Sequence, residues 1–201
     1  MTMDLPEGQY RYEIRRGGSS IGVEETVLAN SKIRGIRTGD GTANRYEVEA
    51  ELDAAGRIRE IQLRYRRGPF VRKADYEAGD DFIRGNVSAG AGRDVVTSKL
   101  GRYGEVDAGL AIFRAITIAH IRERGQTRWT GRVAVIDPAT LVAATLKQSC
   151  RQSATDPSQW IYEPRMGDAE EIELDVTGSI ARIRDNRGGE VIRIAPIPRD
   201  R

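Results

Sequence analysis

The chain of 201 residues contains one cysteine, Cys150, and one histidine, His120. A single cysteine excludes an internal disulfide bond and a cysteine-rich zinc site, and a single histidine excludes a multi-histidine metal site. Aromatic residues are also few, at 6% of the chain. The sequence therefore predicts no metal site, and it indicates no cofactor.

Long apolar runs and an excess of one charge are absent as well. No run approaches the roughly 18 apolar residues of a membrane-spanning helix, so no transmembrane segment is predicted. The 32 basic and 30 acidic residues leave a net charge of only +2. Lysine occurs only at Lys32, Lys73, Lys99 and Lys147, and the other basic residues are arginine. The chain is therefore no polyelectrolyte, and nucleic acid is not expected as a partner.

The N-terminal ten residues contain neither the basic nor the apolar region of a secretory signal peptide. We therefore expect a cytoplasmic protein, or a periplasmic one if a leader has been removed. The length predicts that residues 1–201 form a single domain with a core of its own.

One segment, at about 105–124, is typical of a helix. Phe113, Ile116 and His120 follow the i, i+3, i+7 spacing of one helical face. Asp107 is a candidate N-cap or first-turn acid. Several β-branched residues leave a strand in the second half as the alternative. Because apolar residues cover a wide arc, we expect this helix to lie against the concave side of a sheet.

Short alternating segments fill most of the remaining chain and predict antiparallel strands. They lie at 9–15, 20–29, 45–52, 57–67, 70–76, 81–88, 93–100, 127–136, 141–152, 160–162, 171–176, 180–184 and 191–195. Segment 31–41 is expected to be a loop or frayed strand, and 141–152 could instead be a helix that begins at Asp137. Ile58 is out of phase with Ile61, which predicts a β-bulge near Arg59 or Glu60. In 171–176, Ile172, Leu174 and Val176 are expected to face inward.

The predicted fold class is thus mainly β (α+β). It has a strongly curved antiparallel sheet, or half-open barrel, that wraps one central helix. Inward-facing positions of this sheet carry Tyr46, Tyr65, Trp129 and Trp160, and the helix adds Phe113 and His120. If the helix does not fill the concavity, these six residues line a pocket for a hydrophobic ligand. Otherwise the aromatic residues form the core.

His120 is the candidate catalytic residue, since an imidazole can act as an acid or a base near neutral pH. The alternative is a histidine that is merely packed and hydrogen-bonded. Segment 162–168 carries two further acids, Glu163 and Asp168, which could serve as paired carboxylates or belong to a solvated connection. No G-x-S-x-G motif supports a catalytic triad.

Segment 57–73 holds seven basic residues and a single acid, Glu60. Arg64, Arg66 and Arg67 are its candidates for binding anions, either nucleic acid or acidic lipid. The alternative is a solvated outer face, balanced by the acidic row of Glu47, Glu49 and Glu51 on the neighbouring strand.

The element order of meanders, one helix and further meanders, with Gly17, Gly18, Ile21 and Gly22 in the first hairpin, resembles the LolA-like class of unclosed β-barrels. In particular it resembles uncharacterised bacterial families of that shape. The resemblance implies a half-pipe of strands with an inner helix, apolar ligands such as acyl chains, and export from the cytoplasm. It assigns no role to any residue.

Together these observations favour a binding or carrier protein for a lipid-like or other hydrophobic ligand over an enzyme. An enzyme that uses His120 on a small hydrophobic substrate is the alternative, and an anion-binding surface at 57–73 is the second alternative.

Overall fold

A computed structural model describes residues 5–39, 44–89, 92–101, 104–164 and 168–194. Within these ranges the chain forms fifteen strands and one helix, α1 (Ala111–Glu123). The strands are β1 (Gly8–Arg16), β2 (Ser19–Ala29), β3 (Lys32–Gly39), β4 (Asn44–Leu52), β5 (Ile58–Arg67), β6 (Phe70–Ala78), β7 (Phe82–Ala89), β8 (Gly92–Lys99), β9 (Glu105–Asp107), β10 (Arg128–Ile136), β11 (Ala143–Gln152), β12 (Gln159–Pro164), β13 (Glu170–Leu174), β14 (Ile180–Asp185) and β15 (Gly189–Ile194). Among these residues no helix is long and apolar enough to span a membrane.

All fifteen strands belong to one curved, unclosed sheet. Its order runs from β8 back to β1, continues through β15, and runs back to β9. Every neighbouring pair is antiparallel except β9 and β10, which are parallel. The prediction of a mainly β (α+β) fold with a curved sheet around one helix is therefore confirmed.

Side-chain alternation determines which face of β4 and β5 is buried. Tyr46, Val48 and Ala50 are buried, and the glutamates between them face outward. Glu51 lies opposite Glu60, whereas Leu52 lies opposite Ile58, so Arg59 is the bulged residue as predicted. The acidic row is balanced from both sides, because Glu47 opposes Arg64 on β5 while Glu49 and Glu51 oppose Arg34 and Lys32 on β3.

The helix begins later than 105, so the prediction of its first turns was wrong. Glu105–Asp107 form the short strand β9, which pairs with Val133–Val135 of β10. Asp107 is not the N-cap, since Leu110 occupies that position without a side-chain cap. Gly109 has a φ of 78°, a left-handed conformation that separates strand from helix.

Two further expectations were wrong. Segment 31–41 contains a full strand, β3, which pairs with both β2 and β4. Strand β13 ends at Leu174, and Val176 lies in the following turn with its side chain exposed. The alternative of a helix at 141–152 is excluded, because this segment is strand β11.

The interior of the sheet is occupied by α1, ten of whose thirteen residues are buried. A carboxylate from the sheet caps its N-terminus: Glu24 of β2, fully buried, accepts the N–H of Ala111 at 2.7 Å. The same carboxylate pairs with Arg37 of β3 at 2.6 Å, and Arg37 also donates to the carbonyl of Gly109. An acceptor at this end of a helix meets both its free N–H groups and its dipole.

Ion pairs also hold the middle of the helix. Arg114 bonds Asp107 at 2.5 Å and Glu170 of β13 at 3.2 Å. Burial lowers the pKa of Arg114, but the two carboxylates outweigh it and the net pKa is raised. Arg114 therefore stays charged, and it joins the helix to two separate strands.

The loop between β10 and β11 is hydrogen-bonded to β6, which lies in the other half of the sheet. The hydroxyl of Tyr76 on β6 donates to the carbonyl of Leu141 at 2.8 Å and accepts the N–H of Ala143 at 3.1 Å. Arg72 donates to the carbonyl of Ala139 at 2.7 Å. These contacts join the two halves of the sheet across the interior.

Candidate functional site

The six residues predicted to line a pocket lie mostly in the packed core. Tyr46, Phe113, His120 and Trp160 are each at most 3% exposed, while Tyr65 and Trp129 are half-buried and pack against the core. The hydroxyl of Tyr46 donates to the carbonyl of Ala108 at 2.7 Å. Trp160 borders a pocket of only about 80 Å³, which is too small for a lipid-like ligand. The concave face is thus filled by side chains at these positions.

His120 lies in the last turn of α1 and is paired with a carboxylate. Its Nδ1 lies 3.0 Å from Oε2 of Glu105, and the other oxygen of Glu105 lies 3.5 Å from Arg124. Burial lowers the pKa of His120, but the hydrogen bond and charge of Glu105 outweigh it, so the net pKa is raised. Nε2 of His120 is buried without a hydrogen-bond partner among the described residues.

Glu163 and Asp168 do not pair with one another. Glu163 accepts the hydroxyl of Ser149 at 2.8 Å and lies 3.8 Å from Arg151, whereas Asp168 pairs with Arg187. Arg165, Met166 and Gly167 of the same segment lie outside the described residues.

The basic side chains of segment 57–73 lie in separate groups on the surface. Arg57 and Arg59 pair with Asp53 and Asp80 at one end. Arg64 and Arg66 lie on the outer face of β5, and Arg67 ends the strand opposite Phe70. Anion binding by these three residues stays a prediction, and retention on heparin that falls steeply with salt is the measurement that checks it.

Open volume of ligand size lies where the two ends of the sheet approach each other. Strand β8 comes close to β11 but pairs only with β7. Two adjoining hollows of about 730 and 590 Å³ lie here and share Gly131 and Arg132. We call them together the seam cleft, lined by Ser98, Lys99, Leu100, Gly101, Gly104, Arg124, Gln126, Trp129, Thr130, Gly131, Arg132, Thr145 and Lys147.

Strand β10 forms the edge of the seam cleft because β9 is short. β9 pairs only with Val133–Val135, so among the described residues no strand pairs with the backbone of 128–132 on that side. On this stretch the indole of Trp129 lies over Gly131, where an added Cβ atom would be only 2.0 Å from Cζ2 of the ring. Glycine at 131 thus creates the place that the indole occupies, beside the buried Leu100.

The polar side of the seam cleft is cationic. Lys99, Arg124, Arg132 and Lys147 line it, and no acidic residue does among those described. Arg124 pairs with Glu105, but the structure shows no ion pair for the other three within its described ranges. Thr145 also lines the cleft, and its hydroxyl is buried without a hydrogen-bond partner among the described residues.

Sequence reasoning identified Trp129 but missed the other residues of the cleft. A signal was present in the strand at 127–136, where the face opposite Trp129 carries Arg128 and Arg132. The register that places Lys147 opposite Arg132, and the approach of Lys99 from β8, could not be obtained from spacing.

No protein-family model and no curated protein sequence matches this chain. Two solved structures are similar to it. One is a DUF1089 family protein from Pseudomonas aeruginosa, with a TM-score of 0.56 and 19% identity over 83% of this chain and 90% of the other. The second is a beta-barrel-like protein of domain of unknown function DUF1849 from Brucella abortus, with a TM-score of 0.57 and 11% identity over 94% of this chain and 96% of the other.

At these identities the likeness shows the fold alone. The resemblance suggested by the sequence is confirmed at the level of barrel-like proteins of unknown function, and neither similar structure is named as LolA.

Proposed function

We propose that this protein binds a hydrophobic small molecule, and that it does so in the seam cleft rather than in the concavity of the sheet. The observation that carries the proposal is the half-buried indole of Trp129, exposed on the wall of a hollow of about 590 Å³ beside Leu100. Ligand sites of small molecules are typically about 300–1,000 Å³ and are lined by aromatic and aliphatic side chains.

The packing of the interior also favours the seam cleft as the ligand site. A ligand in the concavity would have to displace α1, which the capping carboxylate of Glu24 and the ion pairs of Arg114 hold in place. A ligand in the seam cleft displaces only solvent. The proposed ligand is therefore still hydrophobic, but its proposed site is at the edge of β10 rather than in the concavity.

A fluorescent, uncharged probe tests this proposal. The methyl ester of dansyl-undecanoic acid should bind the wild-type protein, and Trp129→Ala should weaken binding by about ten-fold, since one large apolar contact is lost. Phe70→Ala is the matched control, because Phe70 is an exposed aromatic residue on β6 that does not line the cleft. Equal affinity of the wild type and Trp129→Ala would contradict the proposed site.

An enzyme that uses His120 is the second candidate. It is favoured by the carboxylate of Glu105, 3.0 Å from Nδ1, because a carboxylate in this position orients an imidazole for proton transfer. His120 does not itself line the seam cleft, although Arg124 does. Hydrolysis of hydrophobic nitrophenyl esters by the wild type, lost in His120→Asn, would support it, and equal rates in the two proteins would exclude this activity.

A further inference from the structure

The outer half of the seam cleft carries an arrangement of charge that is unfavourable without a ligand. Arg132 of β10 and Lys147 of β11 lie directly opposite one another in the strand register. Like charges at directly opposed positions destabilise an antiparallel pair. Both residues are exposed, and neither has an ion-pair partner among the described residues.

The same face repeats this pattern four residues along β10, beyond the uncharged pair of Thr130 and Ser149. Arg128 lies opposite Arg151, and the carboxylate that approaches Arg151, that of Glu163, is 3.8 Å away. Lys99 adds another cation from the end of β8, across the cleft. Two of the four lysines of the whole chain, Lys99 and Lys147, thus line one hollow.

A hydrogen-bond donor without a partner lies in the same place. Oγ1 of Thr145 is buried and has no hydrogen-bond partner in the described part of the chain. Thr145 is two residues from Lys147 and on the same face of β11, because side chains alternate along a strand. A ligand oxygen that approaches Lys147 would therefore come near this hydroxyl.

We propose that Lys99, Arg132 and Lys147, with the hydroxyl of Thr145, form a binding site for an oxyanion, a carboxylate or phosphate group. The inference rests on the proposed function: the acidic group belongs to the hydrophobic ligand whose apolar part lies on Trp129. Oxyanions are the groups that guanidinium and ammonium donors bind with charge-assisted hydrogen bonds. The ligand class is thus an amphipathic acid, with an aliphatic body and one acidic end.

Comparison of a charged probe with its neutral ester tests the site. Dansyl-undecanoic acid should bind the wild-type protein about ten-fold more tightly than its methyl ester at low salt, because three exposed cations each contribute little but act together. The triple variant Lys99→Gln, Arg132→Gln, Lys147→Gln should bind acid and ester alike. The preference should also shrink as salt rises, since exposed charges are screened.

A second triple variant serves as the control for net charge. Lys32→Gln, Arg34→Gln and Arg84→Gln remove the same number of charges from exposed positions on β3 and β7, outside both the seam cleft and segment 57–73, and should keep the full preference for the acid. If the first triple variant keeps the preference, or if the wild type shows none, the oxyanion site is refuted.

The failure of this inference can be told apart from failure of the proposed function. Equal binding of acid and ester, both weakened by Trp129→Ala, refutes the oxyanion site and leaves the hydrophobic site standing. If neither probe binds, the melting temperatures of the wild type and the first triple variant are measured with and without inorganic phosphate at constant ionic strength. A rise in melting temperature with phosphate that the first triple variant lacks supports the anion site, and no rise in either protein refutes it.

Discussion

Replacement of Glu24 by alanine should destabilise the protein far more than replacement of its neighbour Glu25. Glu24 is fully buried, accepts the N–H of Ala111 at 2.7 Å and pairs with Arg37 at 2.6 Å. Glu25 points outward, with its side chain 61% exposed, and pairs with Arg11 at 3.2 Å. The two residues are adjacent in sequence and identical in type, so they form a matched pair.

The expected loss in free energy of unfolding depends on which groups each substitution leaves without a partner. Removal of one partner of a buried ion pair destabilises by about 3–5 kcal/mol. Because the side chain of Arg37 is 29% exposed and regains some hydration, we expect the lower end, about 3 kcal/mol, with the uncapped N–H of Ala111 included. For Glu25→Ala, the loss of an exposed pair predicts roughly 0–1 kcal/mol.

Urea unfolding followed by circular dichroism measures both free energies of unfolding. A loss of about 3 kcal/mol is large against the roughly 5–15 kcal/mol of a typical domain. Glu24→Gln, which keeps an acceptor for Ala111 but loses the charge, should fall between the two alanine variants. If Glu24→Ala and Glu25→Ala lose the same free energy of unfolding, the reasoning about the buried cap is refuted.

Three further predictions concern His120, Gly35 and Cys150. The pKa of His120 is raised by Glu105 against the effect of burial, so its contribution to stability is full below about pH 6.5 and is lost as pH rises through the folded-state pKa. The stability difference between wild type and His120→Gln should therefore be largest below about pH 6.5 and shrink as the pH rises above it, and a difference that does not change with pH would contradict this. Gly35→Ala would place a Cβ atom 2.2 Å from Leu110 and should destabilise by about 1–3 kcal/mol. Leu110→Ala should remove most of that additional loss in a double-mutant cycle, whereas additive losses would argue against the clash. Burial raises the pKa of Cys150 to about 12, so the thiol should resist dithiobis(nitrobenzoate) until urea unfolds the protein. Rapid reaction of the native protein would show that the thiol is accessible.

The sequence predicts the strands well where one face is apolar and the other charged. The alternation in β4 and the phase change between Ile58 and Ile61 depend only on local spacing, and both strand and bulge are present. The first turns of the helix were mispredicted for a tertiary reason. Glu105 and Asp107 are held by His120 and Arg114, partners from the helix itself, which spacing along a strand or helix does not reveal.

The location of the candidate site depends on contacts of high sequence separation. The seam cleft exists because β9 covers only part of β10 and because β8 approaches β11. Neither condition can be predicted from the periodicity of a single segment. The aromatic residues on inward faces were identified correctly as inward. Whether they form the core or line a pocket depends on how much of the space inside the sheet α1 fills. That depends on the volumes of packed side chains, which the periodicity of the sequence does not give.

The two tryptophans of the chain allow the central claim to be measured directly, because Trp129 lines the seam cleft and Trp160 lies in the core. Trp160→Phe leaves Trp129 as the sole reporter, and Trp129→Phe leaves Trp160. The substitution at 160 removes no hydrogen bond seen among the described residues, since the indole N–H is without a partner there.

Each single-tryptophan protein would be titrated with the methyl ester of a doxyl-labelled stearic acid, a short-range quencher of indole fluorescence. If the ligand binds in the seam cleft, Trp129 is quenched at saturation and Trp160 keeps its emission. Quenching of Trp160 with Trp129 unaffected would place the ligand in the interior of the sheet and contradict the account.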